Sequence, residues 1–272
     1  MPEGDTLHRT AAGLRPFLVG RTVTAIRSSG PGPRPQVERL VGHDIVAVDT
    51  LGKNLLIRFD DGLELRTHLG MHGSWHRYRA GERWRRPSSR ARLVLEVPGA
   101  VAVCFDAPLV ELLETRAERL HPALGALGPD LLAPDFDPLE ARRRLRRPER
   151  AATAVAVALL DQRVMAGVGN VYKNEVLWIE AVSPFAAVGT LDDATLDRLI
   201  DASRRLLLAN VGPRRGRAER VTTAGDRGAP GPLYVYGRTG RACRRCRTPI
   251  ASVRQGGDPP RTTYWCPTCQ AG

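Results

Sequence analysis

The sequence has almost no lysine. Of its 41 basic residues only Lys53 and Lys173 are lysines, and the remainder are arginines. Codon composition accounts for the bias as a whole, yet it makes the two exceptions stand out, Lys53 ahead of Lys173. An arginine supplies charge but neither deprotonates nor acts as a compact ammonium. Acid is also short, with 29 Asp and Glu against those 41, which leaves a net charge of +12. Such a surface favours a polyanionic partner, nucleic acid first and an anionic membrane surface second. Long apolar runs are missing. The longest, Ala151 to Leu160 with Thr153 inside it, falls far short of the ~20 residues that span a bilayer, so no transmembrane helix is expected. The opening MPEGDTLHR carries charges where a secretory signal needs apolar residues, so the chain is expected to be cytoplasmic.

What is present reads as more than one compact unit, because 272 residues exceed a typical single domain. Leu7, Ala11, Leu14 and Leu18 recur at helical spacing, predicting a helix over 5–18 capped by Asp5 or Thr6. Segments near 21–28, 43–50, 54–60, 63–69, 92–97 and 101–105 are short, β-branched or aliphatic, and separated by turn pairs such as Asp61-Gly62 and Pro98-Gly99. They predict an antiparallel sandwich or barrel. Prolines between Gly128 and Pro138 interrupt the apolar pattern and read as a linker. Beyond it, 138–146, 151–163, 171–180 and 191–209 read as helices. The Gly-, Arg- and Pro-rich stretch from Gly212 to Pro232 reads as a mobile loop.

Five cysteines are few, but four are paired as Cys243-x2-Cys246 and, nineteen residues on, Cys266-x2-Cys269. Each pair can grip one metal from a tight turn, and the spacing predicts a tetrahedral four-thiolate site for one structural Zn2+, with no open position. Two disulfides are the alternative, unfavourable in a reducing compartment. Cys104 lies in an alternating strand and reads as a small buried hydrophobe. A module of about forty residues buries little apolar area without a metal clamp. Arg238, Arg241, Arg244, Arg245, Arg247, Arg254 and Arg261 crowd it, as either a solvated face or a phosphate grip. Gly167-Val168-Gly169-Asn170 sits between apolar segments, where glycines admit close approach and the following helix offers free N–H groups to a phosphate. It is equally the form of a plain turn. At the other end, removal of Met1 would expose Pro2 as a secondary amine followed by the Glu3 carboxylate. An α-amino group titrates near 8 and is partly nucleophilic at neutral pH.

Taken together, MPEG, the LGK of 51–53, the HLGM of 68–71, the GVGNVYKNE of 167–175, and VYGRTGRACRRC followed by RTTYWCPTCQ make the chain resemble the formamidopyrimidine-DNA glycosylase and endonuclease VIII family. The resemblance spans nearly the whole chain. It implies an α+β protein: an N-terminal catalytic β-sandwich flanked by helices (1–130), a helix–two-turn–helix DNA-binding domain (131–232) and a four-cysteine zinc finger (233–272), with DNA in the cleft. It implies that Pro2 attacks C1′ of a damaged nucleotide while Glu3 assists departure of the base, and that β- and δ-elimination then cut the strand. Lys53, Asn170 and Arg261 match positions that hold phosphates around the lesion, with His68 and Tyr236 beside them, and Met71 matches an intercalating position. The partner implied is damaged double-stranded DNA, single strands being the alternative, bound by a monomer.

Two departures bear on substrate. The stretch Asp106-Ala107-Pro108-Leu109-Val110 lacks the Arg and Phe that purine-excising members carry, and Gly4-Asp5-Thr6 replaces a Pro-Glu pair. Both resemble the endonuclease VIII branch, which removes oxidised pyrimidines. A catalytically silent damaged-DNA binder and a zinc-ribbon regulator remain the competing readings.

Overall fold

A computed structural model describes residues 2–30, 35–212, 220–223, 231–257 and 259–271. The chain divides into two compact units, Met1–Ala126 and Leu127–Gly272.

The first unit opens with helix α1, Gly4–Leu18, which buries Leu7, Ala11, Leu14 and Leu18. The helix starts one residue before the predicted span 5–18, and its cap is neither Asp5 nor Thr6. Glu3 is the N-cap, its carbonyl accepting the Thr6 and Leu7 amides at 2.9 and 3.2 Å. Asp5 instead lies wholly buried in the first turn, paired with Arg9 at 3.1 Å.

Eight strands follow: β1 (Ala25–Ser28), β2 (Ile45–Leu51), β3 (Asn54–Phe59), β4 (Leu63–His68), β5 (Ser74–Arg79), β6 (Ala91–Val97), β7 (Ala100–Phe105) and β8 (Leu109–Glu114). They form two antiparallel sheets, ordered β1-β6-β7-β5 and β2-β3-β4-β8. Leu55, Ile57 and Leu65 of one sheet share a core with Leu93, Leu95 and Ala102 of the other and with the apolar stripe of α1. The fold is the expected α+β sandwich. Trp75 on β5 donates its indole N–H to the Thr67 hydroxyl on β4 at 3.0 Å, tying the sheets together.

Two strands escape the sequence pattern. Ser74–Arg79 carries His76, Arg77 and Arg79, so its alternation is hidden by charge, and Leu109–Glu114 is partly exposed along its length. The strand expected over 21–28 shortens to Ala25–Ser28, with only a single bridge from Thr22 to Asp44 before it. Cys104 is fully buried in the core, and burial pushes its thiol up.

The second unit contains α2 (Pro138–Leu145), α3 (Val155–Ala158), α4 (Asn170–Ile179) and α5 (Asp193–Leu208), then a hairpin of β9 (Ala251–Gln255) and β10 (Arg261–Trp265). Asp137 and Asp192 cap α2 and α5 by accepting first-turn amides. The helix expected over 151–163 is mostly irregular. Backbone groups in it bond outside the run, Val155 N–H to the Ala186 carbonyl at 2.8 Å and the Thr153 carbonyl accepting Val188 N–H at 2.9 Å, and only Val155–Ala158 is α-helical. The expected linker is also packed structure. Leu131 is fully buried, and Leu131 N–H and the Pro129 carbonyl both bond to Ala166. Of the loop expected over 212–232, residues 213–219 and 224–230 lie outside the described residues. No helix among the described residues is long and apolar enough to cross a membrane.

Cys104→Ser would replace the thiol with a smaller, more polar hydroxyl at a site with no exposure. A loss of about 1–3 kcal/mol on urea unfolding is expected. An unchanged midpoint would contradict the assignment of Cys104 to the core.

Candidate nucleic-acid interface and catalytic residues

The predicted residues fall in both units, and each group has a local cause. In the first unit α1 runs antiparallel to β2: Gly20 N–H, just past the helix, bonds the Ile45 carbonyl at 2.8 Å, and Arg15 Nε bonds the Val48 carbonyl at 2.7 Å. Thirteen residues of helix back to Pro2 cover about 20 Å. Five residues of strand on to Lys53 cover about 17 Å. The two lengths match, so the helix N-terminus and the β2–β3 turn lie at the same end of the sheet. Lys53 occupies that two-residue turn between Leu51 and Asn54, with Gly52 at φ +58°, as a tight hairpin requires.

Asn54, directly after Lys53, pairs across the ladder with His68 at the end of β4. His68 Nδ1 accepts the Gly70 amide at 3.2 Å, which fixes the ring with its proton on Nε2, a neutral donor. Burial, then the charges of Lys53 and Arg66, push the His68 pKa down. The chain then turns through Leu69–Gly73, closed by Gly73 N–H on the Leu69 carbonyl at 2.8 Å. A Cβ at residue 73 would stand 2.3 Å from that carbonyl, so glycine is required there. Met71 rides this turn at 54% exposure. Pro2 is half-buried and Glu3 wholly buried.

In the second unit the GVGNVYKNE segment does more than its glycines suggest. Gln162 shapes the turn, its amide nitrogen donating to the Leu160 and Val168 carbonyls, both at 2.9 Å, and its oxygen accepting the Gly167 amide at 3.0 Å. The α4 helix that follows is buried nearly all round, polar residues included. Buried polar groups need partners, and here the C-terminal segment supplies them. Asn170 Nδ2 donates to the Thr262 carbonyl at 2.9 Å, and Lys173 Nζ to Thr263 Oγ1 at 2.8 Å. Asn174 Oδ1 accepts the Tyr264 amide at 2.7 Å. Glu175, with no exposure, accepts the amides of Tyr234, Val235 and Tyr236 at 2.7, 2.9 and 2.8 Å and the hydroxyl of Thr222.

Asn170, Arg261 and Tyr236 are thereby brought together. Arg261 begins β10 next to the carbonyl that Asn170 holds, and the Tyr236 ring lies edge-on to Tyr264 at 5.1 Å. Asn170 Oδ1 is buried with no hydrogen-bond donor among the described residues. Lys173, one of the two lysines, serves to anchor the hairpin. Glu175, Asn174 and Gln162 were missed by sequence reasoning. The available signal was a cluster of polar residues, 170 and 173–175, inside an otherwise apolar helix.

The sulfurs of Cys243, Cys246, Cys266 and Cys269 lie within 4.8 Å of one another. The Thr248 hydroxyl and amide pull the Cys246 thiol down to about 6, while burial and its sulfur neighbours push Cys269 up to about 12. Four thiolates at this range repel unless a dication holds them, so the donor set fits a zinc finger. The hairpin packs on Trp178 of α4, which stacks on Tyr234 at 4.2 Å and lies under the Arg245 guanidinium at 4.4 Å.

Known proteins resemble the chain along its whole length. The formamidopyrimidine-DNA glycosylase N-terminal domain matches residues 1–108 and the formamidopyrimidine-DNA glycosylase H2TH domain residues 127–218. A probable endonuclease 8 2 of Streptomyces coelicolor is 43% identical over 100% of this chain and 95% of its own length. The DNA-(apurinic or apyrimidinic site) lyase Nei2 of Mycolicibacterium smegmatis is 43% identical over 99% of each chain. Endonuclease 8 of Escherichia coli is 30% identical over 99% of this chain and 100% of its own. Among solved structures, Lactococcus lactis Fpg (MutM) in complex with DNA containing an oxidised pyrimidine superposes with a TM-score of 0.83 at 24% identity, covering 100% of both chains. That likeness concerns the fold.

Glu175→Gln would turn an NH2 group toward backbone N–H donors. A loss of at least about 2 kcal/mol in urea unfolding of the second unit is expected, and wild-type stability would contradict the caging. His68 should titrate by NMR below the ordinary 6.5. Because the unfolded chain binds that proton more readily, His68 makes folding less favourable as pH falls below about 6.5. A midpoint above 7 would contradict the assignment.

Proposed function

Since the chain belongs to the formamidopyrimidine-DNA glycosylase and endonuclease VIII family, it is a DNA glycosylase and abasic-site lyase of base excision repair, and we propose that Pro2, freed of Met1, is its nucleophile. The observation that carries this reading is the placement of Pro2 and Glu3 at the head of α1, at the same end of the sheet as Lys53, His68 and Met71. The Pro2 amine adds to C1′ of the deoxyribose as the damaged base leaves, with Glu3 handling protons at the opening sugar. The resulting iminium acidifies the C2′ proton, so the 3′ phosphate leaves by β-elimination and the 5′ phosphate by δ-elimination.

Lys53 and the neutral Nε2–H of His68 grip phosphates at the lesion from the first unit. Asn170, Tyr236 and Arg261 do so from the second. Met71 fills the place of the extruded nucleotide, which must leave the stack before its C1′ is reachable. The preferred base is an oxidised pyrimidine. Support comes from relatives named endonuclease 8 and from the stretch Asp106–Val110, which lacks the Arg and Phe of purine-excising members. The substrate is damaged duplex DNA, bound by a single chain in the cytoplasm with the chromosome. One Zn2+ on Cys243, Cys246, Cys266 and Cys269 is structural, since four protein ligands leave no position for substrate.

Borohydride should trap the protein covalently on duplex DNA carrying an abasic site or an oxidised pyrimidine. Protein forced to keep a residue before Pro2 should give no trapped species, because an amide nitrogen cannot attack. Equal trapping with the extension in place would remove Pro2 from the role. Elemental analysis should find one zinc per chain, lost in Cys246→Ser together with duplex binding. Full metal content in that variant would contradict the ligand set.

A further inference from the structure

The Leu69–Gly73 turn that carries Met71 is held from outside as well as by its own hydrogen bonds. The Pro108 ring lies against Gly70, so close that a Cβ there would come within 2.9 Å of Pro108 Cγ, and Gly70 itself is left-handed at φ +56°. Arg86 reaches in from the β5–β6 connection, where its Nη1 donates both to the His72 carbonyl at 3.3 Å and to Asp106 Oδ2 at 2.6 Å. The other oxygen of Asp106 accepts Arg90 Nε at 2.8 Å, and the Asp106 amide donates to the Arg90 carbonyl at 3.0 Å.

Asp106 therefore links the residue after Met71 to the end of β7 through one guanidinium. It does so from an unusual backbone, φ +53°, where a side chain is disfavoured. Such a conformation persists only where the surroundings enforce it, often at functional elements. Its carboxylate is 18% exposed, and the hydrogen bond from Arg90 holds its pKa below the usual carboxylate range. Arg86, bound to a carboxylate and a carbonyl at once, has little freedom left. The turn it supports is thus fixed while Met71 at its tip stays more than half exposed.

We propose that Asp106, acting through Arg86, is a positioning residue that keeps the Met71 turn in the shape that enters the DNA stack. The stretch Asp106–Pro108 does not itself fill the vacated space; it stiffens the turn that does. A wedge held in shape loses less conformational freedom on insertion, so more of its contact energy goes into holding the nucleotide out. This proposal rests on the reading of Met71 as the inserted side chain.

The test compares Met71→Ala, Asp106→Asn, Arg86→Gln and the double variant Met71→Ala/Asp106→Asn. Asparagine tolerates the left-handed backbone and keeps the side-chain shape, so Asp106→Asn should melt within a few degrees of wild type. Single-turnover release of an oxidised pyrimidine from duplex DNA is measured beside cleavage of a preformed abasic site in the same duplex, which has no base to extrude. Asp106→Asn and Arg86→Gln should each slow base release about tenfold while abasic cleavage stays within about twofold. The double variant should be no slower than Met71→Ala alone, since a brace has no value without its wedge. Base release at the wild-type rate in Asp106→Asn, with Met71→Ala impaired, would overturn the brace, as would losses that multiply in the double variant. Wild-type release in Met71→Ala would instead take down the reading of Met71, and the brace with it.

Discussion

Four polar side chains on α4 with almost no access to water set the geometry of the C-terminal unit. An uncompensated buried carboxylate or amide costs several kcal/mol. The sequence does not avoid the cost by making α4 apolar; it answers each group with a partner far along the chain, backbone for Asn170, Asn174 and Glu175 and the Thr263 hydroxyl for Lys173. Glu175 gathers three consecutive amides at 234–236, and Asn170, Lys173 and Asn174 take the strand at 262–264 in order. A small finger has too little core to fix its own orientation. Its position follows from the helix, while the four cysteines hold the hairpin closed.

The first unit solves a different problem with a matching of lengths. Pro2, Lys53 and Met71 are far apart in sequence, and no contact among them is needed to collect them. An antiparallel helix laid along β2 returns its first turn to the end of the sheet where β2 turns into β3 and β4 ends. The apolar stripe of α1 is therefore functional as well as structural, since its register against Val48 decides where the terminal amine lies. The charges nearby act on one another too: Lys53 and Arg66 add to burial in keeping His68 neutral, so in the proposed role it would meet a phosphate as a donor without adding to the positive field.

Much of this was legible in the residues. Period-two and period-3.6 patterns located α1, α2, α4, α5 and six of the ten strands, and the CxxC pairs located the thiolate cluster. The failures share a cause, which is that pattern reports burial and misses partnership. The run 151–163 looks helical, but Val155 N–H goes to the Ala186 carbonyl and the Thr153 carbonyl takes Val188 N–H, so only Val155–Ala158 closes as a helical turn. Arg77 and Arg79 hide a strand because they share the face of Trp75, so charge interrupts the side that reaches the core. Leu131, in the proline-rich stretch, is core because its backbone bonds to Ala166. Glu175 and Asp106 were invisible for the same reason, since a carboxylate in isolation carries no sign of which amides or guanidiniums will enclose it.

The proposed chemistry turns on which amine joins the sugar. Besides the N-terminus, the chain offers only Lys53 and Lys173, and Lys173 is 1% exposed with its ammonium on Thr263. Tandem mass spectrometry of the borohydride-reduced adduct, after digestion of protein and DNA, locates the modified nitrogen directly. A deoxyribose remnant on a peptide beginning at Pro2 is the predicted result. The same remnant on Lys53, with the N-terminal peptide unmodified, would contradict it.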